Sequence, residues 1–318
     1  MGLRLHHIHL PALAPSYYPP YTLAERVQDA LRRQLLAHKD LLRRPPSAPP
    51  PPTLLSFTPL PTYTLGRRQT TPLPARELAR LRAPLLPHHH RPAVLRSPRG
   101  GLVTYHGPGQ AVLWPVLDLR GAATRPLTVR CYAALLEATT AAVLGARCGV
   151  RGAHAAEGAP GVWVPPPSGG AGRARKIAAL GVHLRRHVTG LGTAVNVDFG
   201  GPAGGDPWKR IVACGLEGRE VTSVRAVVGE GPWREWVGGL PSAGGGGEAV
   251  ADGVERAVAA WWAEELARRI GLEGVAEQAL SRAEVVRMLE TDEDGVAGGR
   301  TATAEEMEYV ARVFGPGA

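Results

Sequence analysis

The chain has 318 residues, 44% of them hydrophobic, which suffices for one large domain or two small ones around a sizeable core. Thirty-seven Lys and Arg against 28 Asp and Glu leave a net charge of +9, which favours acidic partners without choosing among nucleic acid, lipid headgroups and acidic proteins. Only 5% of residues are aromatic, so no basic–aromatic platform for nucleic acid is suggested, and the charge reads equally well as a solvated surface. Three cysteines, Cys131, Cys148 and Cys214, are odd in number and widely spaced. They suggest neither a disulfide framework nor a metal site, and a reducing compartment fits. No apolar run approaches the ~18–20 residues of a membrane span.

In chain order, residues 1–21 hold Arg4 and several histidines, and no acidic residue precedes Glu25. This is partly the pattern of a mitochondrial transit sequence, although poor in arginine and serine. Residues 22–39 place Leu23, Val27, Leu31, Leu35 and Leu36 at helical spacing, and the prolines at 45–52 end that helix in an extended linker. Residues 54–58 and 62–67 read as short strands, the second running into a glycine turn. Residues 103–105 and 111–117 are β-prone runs separated by a Gly-Pro-Gly turn, which predicts a tight two-stranded hairpin. Pro126 near a helix start, then Tyr132, Leu135, Leu136, Thr139 and Val143 on one face, predict a second helix. Strand-like segments follow at 161–164, 177–182, 193–197 and 211–213, interrupted by Pro/Gly-rich stretches. The last long helix, 254–270, should carry Val258, Trp261 and Leu266 inward. Ser281 with Glu284 and Thr303 with Glu306 predict capping boxes for two further helices, with a disordered segment at 291–300 between them. Strands and helices mixed without regular alternation predict an α/β (α+β) fold, a mixed sheet with helices packed on it. The expected organisation is one domain over 1–270 with insertions at 45–53, 165–175, 200–207 and 241–247. A helical, partly flexible extension is expected over 271–318.

The chemistry concentrates in Arg99-Gly100-Gly101-Leu102-Val103-Thr104-Tyr105-His106-Gly107-Pro108-Gly109-Gln110. Paired glycines let the backbone approach a ligand, Arg99 adds a fixed charge, and His106 adds a group that titrates near neutrality. The same run could equally be an ordinary hairpin. Cys214 lies between an apolar run and a glycine, where a strand end could present its sulfur, although a small buried hydrophobe is the commoner fate of a cysteine. Lys176 follows Arg173 and Arg175 and precedes an apolar segment; it reads either as a surface charge or as a base generated by like charge and burial. A free thiol is mostly protonated at neutral pH, so a nucleophilic cysteine needs a base and a cationic neighbour. Cys131, near a helix start, and Cys148, in the turn after it, carry no motif and read as structural. His88, His89 and His90 form a run in a proline-flanked loop that reads as solvated, so no metal site is expected.

The 99–110 run resembles the signature of the octanoyltransferases of lipoic acid synthesis. Four further blocks resemble that family in the same order: Thr64-Leu-Gly-Arg67, Gly161-Val-Trp-Val164 with Lys176-Ile-Ala-Ala-Leu-Gly-Val182, Ala194-Val-Asn-Val197, and Cys214-Gly-Leu-Glu-Gly218 with Val221-Thr-Ser-Val224. Together they span roughly residues 55–225. The resemblance implies the fold of the biotin and lipoate protein ligase catalytic domain and needs no cofactor. It implies that octanoyl passes from octanoyl-acyl carrier protein to Cys214 as a thioester, with Lys176 as partner. The acyl group would then pass to a lysine of lipoyl domains, in 2-oxoacid dehydrogenase complexes and the glycine cleavage H protein. It further implies an acyl pocket lined by Arg99, Gly100, Gly101, Leu102, Val103, Thr104, Tyr105 and His106, by Ala179, Leu180 and Gly181, and by Gly192, Thr193 and Ala194. Donors near Gly192 or Gly215 would supply an oxyanion hole. The chain departs from the family at Ala213, usually proline, and at Leu191, usually histidine.

Two other functions fit some of these residues. An ATP-dependent lipoate or biotin ligase would share the fold but needs no cysteine, and biotin ligases carry a denser Gly-Arg-Gly-Arg loop. A non-catalytic module could use the basic surface to hold acidic acyl-carrier or lipoyl domains. The resemblance implies a monomer without nucleic acid, mitochondrial if eukaryotic and cytoplasmic if bacterial.

Overall fold

In the computed structural model, the described residues are 2–13, 17–41, 48–85, 90–121, 126–166, 172–199, 206–211, 220–240, 252–291 and 301–315. The expectations for 200–205, for 212–213, for the glycine hinge at 244–247 and for 292–300 lie outside them, as do Cys214, Ala213, Gly215, His88 and His89. Of the insertions, residues 45–47, 167–171 and 241–247 also lie outside, while Thr53 and Arg175 each begin a strand.

Eleven strands form two sheets among the described residues: β1 Leu5–Leu10, β2 Thr53–Phe57, β3 Thr62–Leu65, β4 Ala93–Arg96, β5 Val103–His106, β6 Gln110–Val116, β7 His154–Ala156, β8 Ala159–Val164, β9 Arg175–Arg185, β10 Val188–Asn196 and β11 Val275–Glu277. The large mixed sheet runs β11-β1-β2-β6-β10-β9-β8-β7, with β1 parallel to both neighbours and the remaining pairs antiparallel. A small sheet runs β4-β3-β5. Eight α-helices lie among the described residues, α1 Tyr21–Asp40, α2 Ala75–Leu81, α3 Val129–Arg147, α4 Val224–Val228, α5 Glu230–Gly238, α6 Gly253–Ile270, α7 Arg282–Glu290 and α8 Ala304–Val313, so the α/β class expected from the sequence is what the chain adopts.

The helix expected over 22–39 is α1, Tyr21–Asp40; it buries Leu23, Ala24, Val27 and Leu35 against one face of the large sheet. The other face is covered by α3, Val129–Arg147, and α6, Gly253–Ile270, which pack on each other. By length and composition alone α3 would pass as a membrane-crossing helix. Its buried face, including Tyr132, Leu136, Val143 and Leu144, instead joins the core. In α6 the sequence expectation placed Trp261 inward. The structure buries Trp262 completely, its indole N–H donating to Thr140 Oγ1 at 3.0 Å, and leaves Trp261 part-exposed beside Arg147. Val258 and Leu266 turn inward as expected, with Ala259 and Ala263 beside them, so only Trp261 departs from the expected stripe, its neighbour Trp262 taking the buried place.

The hairpin expected at 103–117 does not form. β5 pairs with β3 in the small sheet, whereas β6 pairs with β2 and β10 in the large one. The intervening turn is held by the end of β10: Gly109 carbonyl accepts from the backbone N–H groups of Val197 (2.8 Å) and Asp198 (2.9 Å). Gly109 has φ +82°, and a Cβ there would overlap the Asp198 carbonyl oxygen, so only glycine fits.

β1 carries no alternating signal, yet it lies inside the large sheet. Its histidines are satisfied there: His7 bonds Ser56 Oγ (2.7 Å) and Glu277 (2.8 Å), and His9 bonds Ser56 Oγ (2.8 Å) and Asp252 (3.0 Å). Beyond residue 270, β11 adds a parallel strand beside β1. Both capping boxes are present, on α7, Arg282–Glu290, and α8, Ala304–Val313, which bury Val285, Leu289, Tyr309 and Val310 against α1 and β1–β2.

Trp262→Ala is expected to lower unfolding free energy in urea titrations by about 3–5 kcal/mol, and Trp261→Ala by less than half of that. Equal losses would contradict the orientation of α6.

Candidate functional site

The two sheets meet where β5 leaves the small sheet and β6 enters the large one. Along β5 the side chains alternate as a strand requires. Val103 and Tyr105 turn into the small-sheet core with Tyr63, Leu81 and Trp208, while Thr104 and His106 face the large sheet. Between them lies an inner cavity of about 30 Å³, lined by Arg99, Thr104, His106, Ala179, Leu180, Gly181, Gly192, Thr193 and Ala194, together with Tyr21, Trp114 and Leu191. Nine of the residues expected to line an acyl pocket therefore converge. Gly100 and Gly101 lie farther out, and Leu102, Val103 and Tyr105 do not reach the cavity.

Arg99 organises the mouth. Its Nη2 donates to Thr64 O (2.6 Å) and Thr64 Oγ1 (2.9 Å), and its Nη1 to Gly100 O (3.0 Å). Its aliphatic stem crosses Gly181, where a Cβ would come within 2.8 Å of Arg99 Cδ. The Thr64–Arg67 block is bound to the same loop through Gly66 N–H to Leu102 O (3.0 Å) and Arg67 N–H to Arg99 O (2.9 Å). Two separated sequence blocks thus form one structural unit.

Outside this mouth a groove of about 780 Å³ opens. Arg99, Leu180 and Gly181 belong to both spaces; Arg67, Arg68, Arg130, Glu137, Pro160 and Lys176 line the groove alone. Lys176 is 4% exposed on β9. Its Nζ donates to Pro160 O at 2.9 Å and lies 4.8 Å from the Trp163 ring centroid, two contacts that suit an ammonium. Its backbone holds the segment 220–222: Lys176 N–H donates to Glu220 O (2.9 Å), and Thr222 N–H to Lys176 O (2.8 Å). The later part of the cysteine block, Val221–Val224, is therefore fixed beside Lys176, while Cys214 itself lies outside the described residues. Gly192 lines the inner cavity and not the groove, so it is not beside Lys176.

Of the other cysteines, Cys148 is buried in the core and burial pushes its thiol up to about 12, which keeps it protonated at neutral pH. Cys131 is exposed on the first turn of α3. Among the described residues no group of three His, Cys, Asp or Glu side chains is placed to hold a metal ion.

His106 does not titrate near neutrality, contrary to the sequence expectation. Burial, then the nearby Arg99 charge, lower it to about 3 despite a hydrogen bond from Nδ1 to Gln110 Oε1 at 2.8 Å. Gln110 and Asn196 are completely buried beneath it and linked to each other (Gln110 Nε2 to Asn196 Oδ1, 2.8 Å). Both stand inside the sequence blocks, but nothing in their spacing showed that they meet. Tyr21 and Trp114 gave no sequence signal of cavity lining; Tyr21 stacks on His106 at 5.3 Å.

Residues 30–237 match the family described as lipoyl protein ligase A/B catalytic domain. The chain belongs to that family. Among its relatives is a probable octanoyltransferase of Schizosaccharomyces pombe, 31% identical over 211 residues that cover 65% of this chain and 82% of that protein. Another is the mitochondrial octanoyltransferase LIP2 of Arabidopsis thaliana, 35% identical over 179 residues, 54% of this chain and 64% of that one. The crystal structure of P. falciparum LipL1 in complex with lipoate has the same fold, with a TM-score of 0.51 at 8% identity over 98% of this chain and 71% of that one. The fold expected from the family resemblance is therefore the one observed.

His106 should show no protonation step between pH 5 and 8 in NMR titrations of the folded protein. Because its folded value lies below the ordinary 6.5, the unfolded chain binds the proton first, and this residue makes stability fall as pH drops below about 6.5 towards 3. A midpoint near 6.5 in the native protein would contradict the burial.

Proposed function

We propose that the chain transfers octanoyl from octanoyl-acyl carrier protein to a lysine of a lipoyl domain through a thioester on Cys214. Membership in the lipoyl ligase A/B family and the octanoyltransferase relatives place it as an acyltransferase of protein lipoylation. Lipoyl-domain proteins are accordingly its acceptors. The observation that carries the two-step reading is the buried Lys176 in the groove wall, with the end of the cysteine block bound to its backbone.

The chemistry follows from that pairing. Lys176 takes the thiol proton of Cys214, and the resulting thiolate attacks the donor thioester carbonyl. The carbon–sulfur bond to the carrier breaks, and the carrier thiol leaves with the proton that Lys176 returns. A neutral lysine amine of the acceptor then attacks the enzyme thioester and gives up a proton to Lys176 as the amide forms, and the Cys214 thiolate is released beside the Lys176 ammonium. Running the acyl chain along the groove towards the inner cavity, with its head beside Lys176, orients the carbonyl for both steps. The arginine-rich rim of the groove, Arg67, Arg68 and Arg130, suits acidic carrier and lipoyl domains by long-range attraction.

Incubation with octanoyl-acyl carrier protein in the absence of ATP should add one octanoyl mass to the protein, removable by hydroxylamine. Cys214→Ala should show no adduct, while Cys131→Ala and Cys148→Ala retain it. A folded wild-type protein that gains no mass from a competent donor would refute the reading, and strict dependence on ATP would reassign the chain to the ligases.

Lys176→Ala should slow acylation by roughly 10²–10⁴-fold in the same assay while keeping a cooperative unfolding transition. Near-normal acylation would place the base elsewhere.

A further inference from the structure

The hydrogen bonds beneath the inner cavity have a fixed direction. Thr222 O is a backbone carbonyl and can only accept, so the Asn196 group at 3.0 Å from it is the amide nitrogen. Asn196 Oδ1 must then accept from Gln110 Nε2 at 2.8 Å, which leaves Gln110 Oε1 to accept from His106 Nδ1, also at 2.8 Å. One unambiguous carbonyl therefore sets the whole chain, and His106 is held as its Nδ1–H tautomer. Its Nε2 carries no proton and remains as the acceptor of a residue that lines the cavity.

Two more polar atoms belong to the same wall. The hydroxyls of Thr104 and Thr193 are buried, and neither has a hydrogen-bond partner among the described residues. Besides Arg99, whose guanidinium is held by Thr64, the rest of the lining is aromatic, aliphatic or glycine, with Tyr21, Trp114 and Leu191 among it. A cavity of about 30 Å³ brings these groups close together and holds roughly two water molecules. Lys176 lines the groove but not this cavity, so a chain whose head reacts beside Lys176 points its tail here.

We infer that His106 Nε2 with the Thr104 and Thr193 hydroxyls forms a polar end wall that limits acyl-chain length, and that Gln110 and Asn196 are the positioning residues that keep His106 an acceptor. The inference rests on the acyl-cavity reading above. A chain that stops short of the wall leaves its water in place. A longer one displaces that water and faces three polar groups with methylenes, which offer them no hydrogen bond.

The test is the rate of acyl-enzyme formation from hexanoyl, octanoyl, decanoyl and dodecanoyl thioesters, read by intact mass, for wild type, Thr104→Val and Thr193→Val. These near-isosteric changes replace each hydroxyl with a methyl group, and the decanoyl-to-octanoyl rate ratio should rise by about three- to tenfold. In parallel, ¹⁵N spectra of the His106 ring should show a protonated Nδ1 and a bare Nε2 in the wild type, with that tautomer preference lost in Gln110→Met. A wild-type protein that takes no acyl group sinks the functional reading itself. An acylated wild type whose ratio does not move in either valine variant, or whose His106 is the Nε2–H tautomer, overturns the end wall alone.

Discussion

The structure depends on one constraint: β5 and β6 are consecutive in sequence but belong to different sheets. A chain that changes sheets at a seam leaves backbone and side-chain polar groups facing inward, where water cannot satisfy them. Here the Gly107–Gly109 turn gives its carbonyl to the end of β10, and Gln110, the first residue of β6, serves both neighbours with its side chain. The seam is closed by polar contacts at its base and left open above them. That opening is the inner cavity, so the cavity follows directly from the topology.

The same constraint orders the charges. Arg99 spans from the small sheet, where Thr64 takes its guanidinium, to the large sheet, where Gly181 leaves room for its stem. Its fixed charge and the surrounding burial keep His106 neutral, so the inner cavity carries no titrating cation. Lys176 lies in a different setting, with a carbonyl and an indole face as partners and an arginine-lined groove in front. The inner cavity and the arginine-lined groove thus share Leu180, Gly181 and Arg99 as their common border.

Much of this was legible in the sequence where a local pattern had a single structural meaning. Helical spacing placed α1 and α3, and the Ser281 and Thr303 capping boxes located α7 and α8 to the residue. The blocks around Arg99, Ala179 and Gly192 were assigned to one pocket only through the family resemblance, and nine of those residues do line one cavity. What was not legible depends on partners distant in sequence. The Gly-Pro-Gly turn reads as a hairpin because nothing local reports that Val197 and Asp198 will take its carbonyl. β1 gives no strand signal because three histidines interrupt its apolar pattern, and they are tolerated because Gln278 meets His6, Ser56 and Glu277 meet His7, and Ser56 and Asp252 meet His9. Trp261 and Trp262 are adjacent and alike, and only the packing of α3 chooses between them.

Leu191 shows why the departure from the family need not disturb the proton chemistry. It sits in β10 opposite Val182, has φ +59°, and its N–H is taken by Gln28 Oε1 at 3.0 Å. A non-glycine residue in that conformation costs about 1–2 kcal/mol, which the bond from α1 and the burial of the leucine side chain offset. Its side chain forms part of the inner cavity wall and does not line the groove with Lys176. A histidine there would add a polar group beside the acyl tail and lie away from the Lys176 ammonium. In this chain the leucine makes that part of the wall apolar, and the polar character of the cavity is left to Arg99, the threonine hydroxyls and His106. The position at which the family usually has histidine belongs, in this chain, to the wall of the inner cavity.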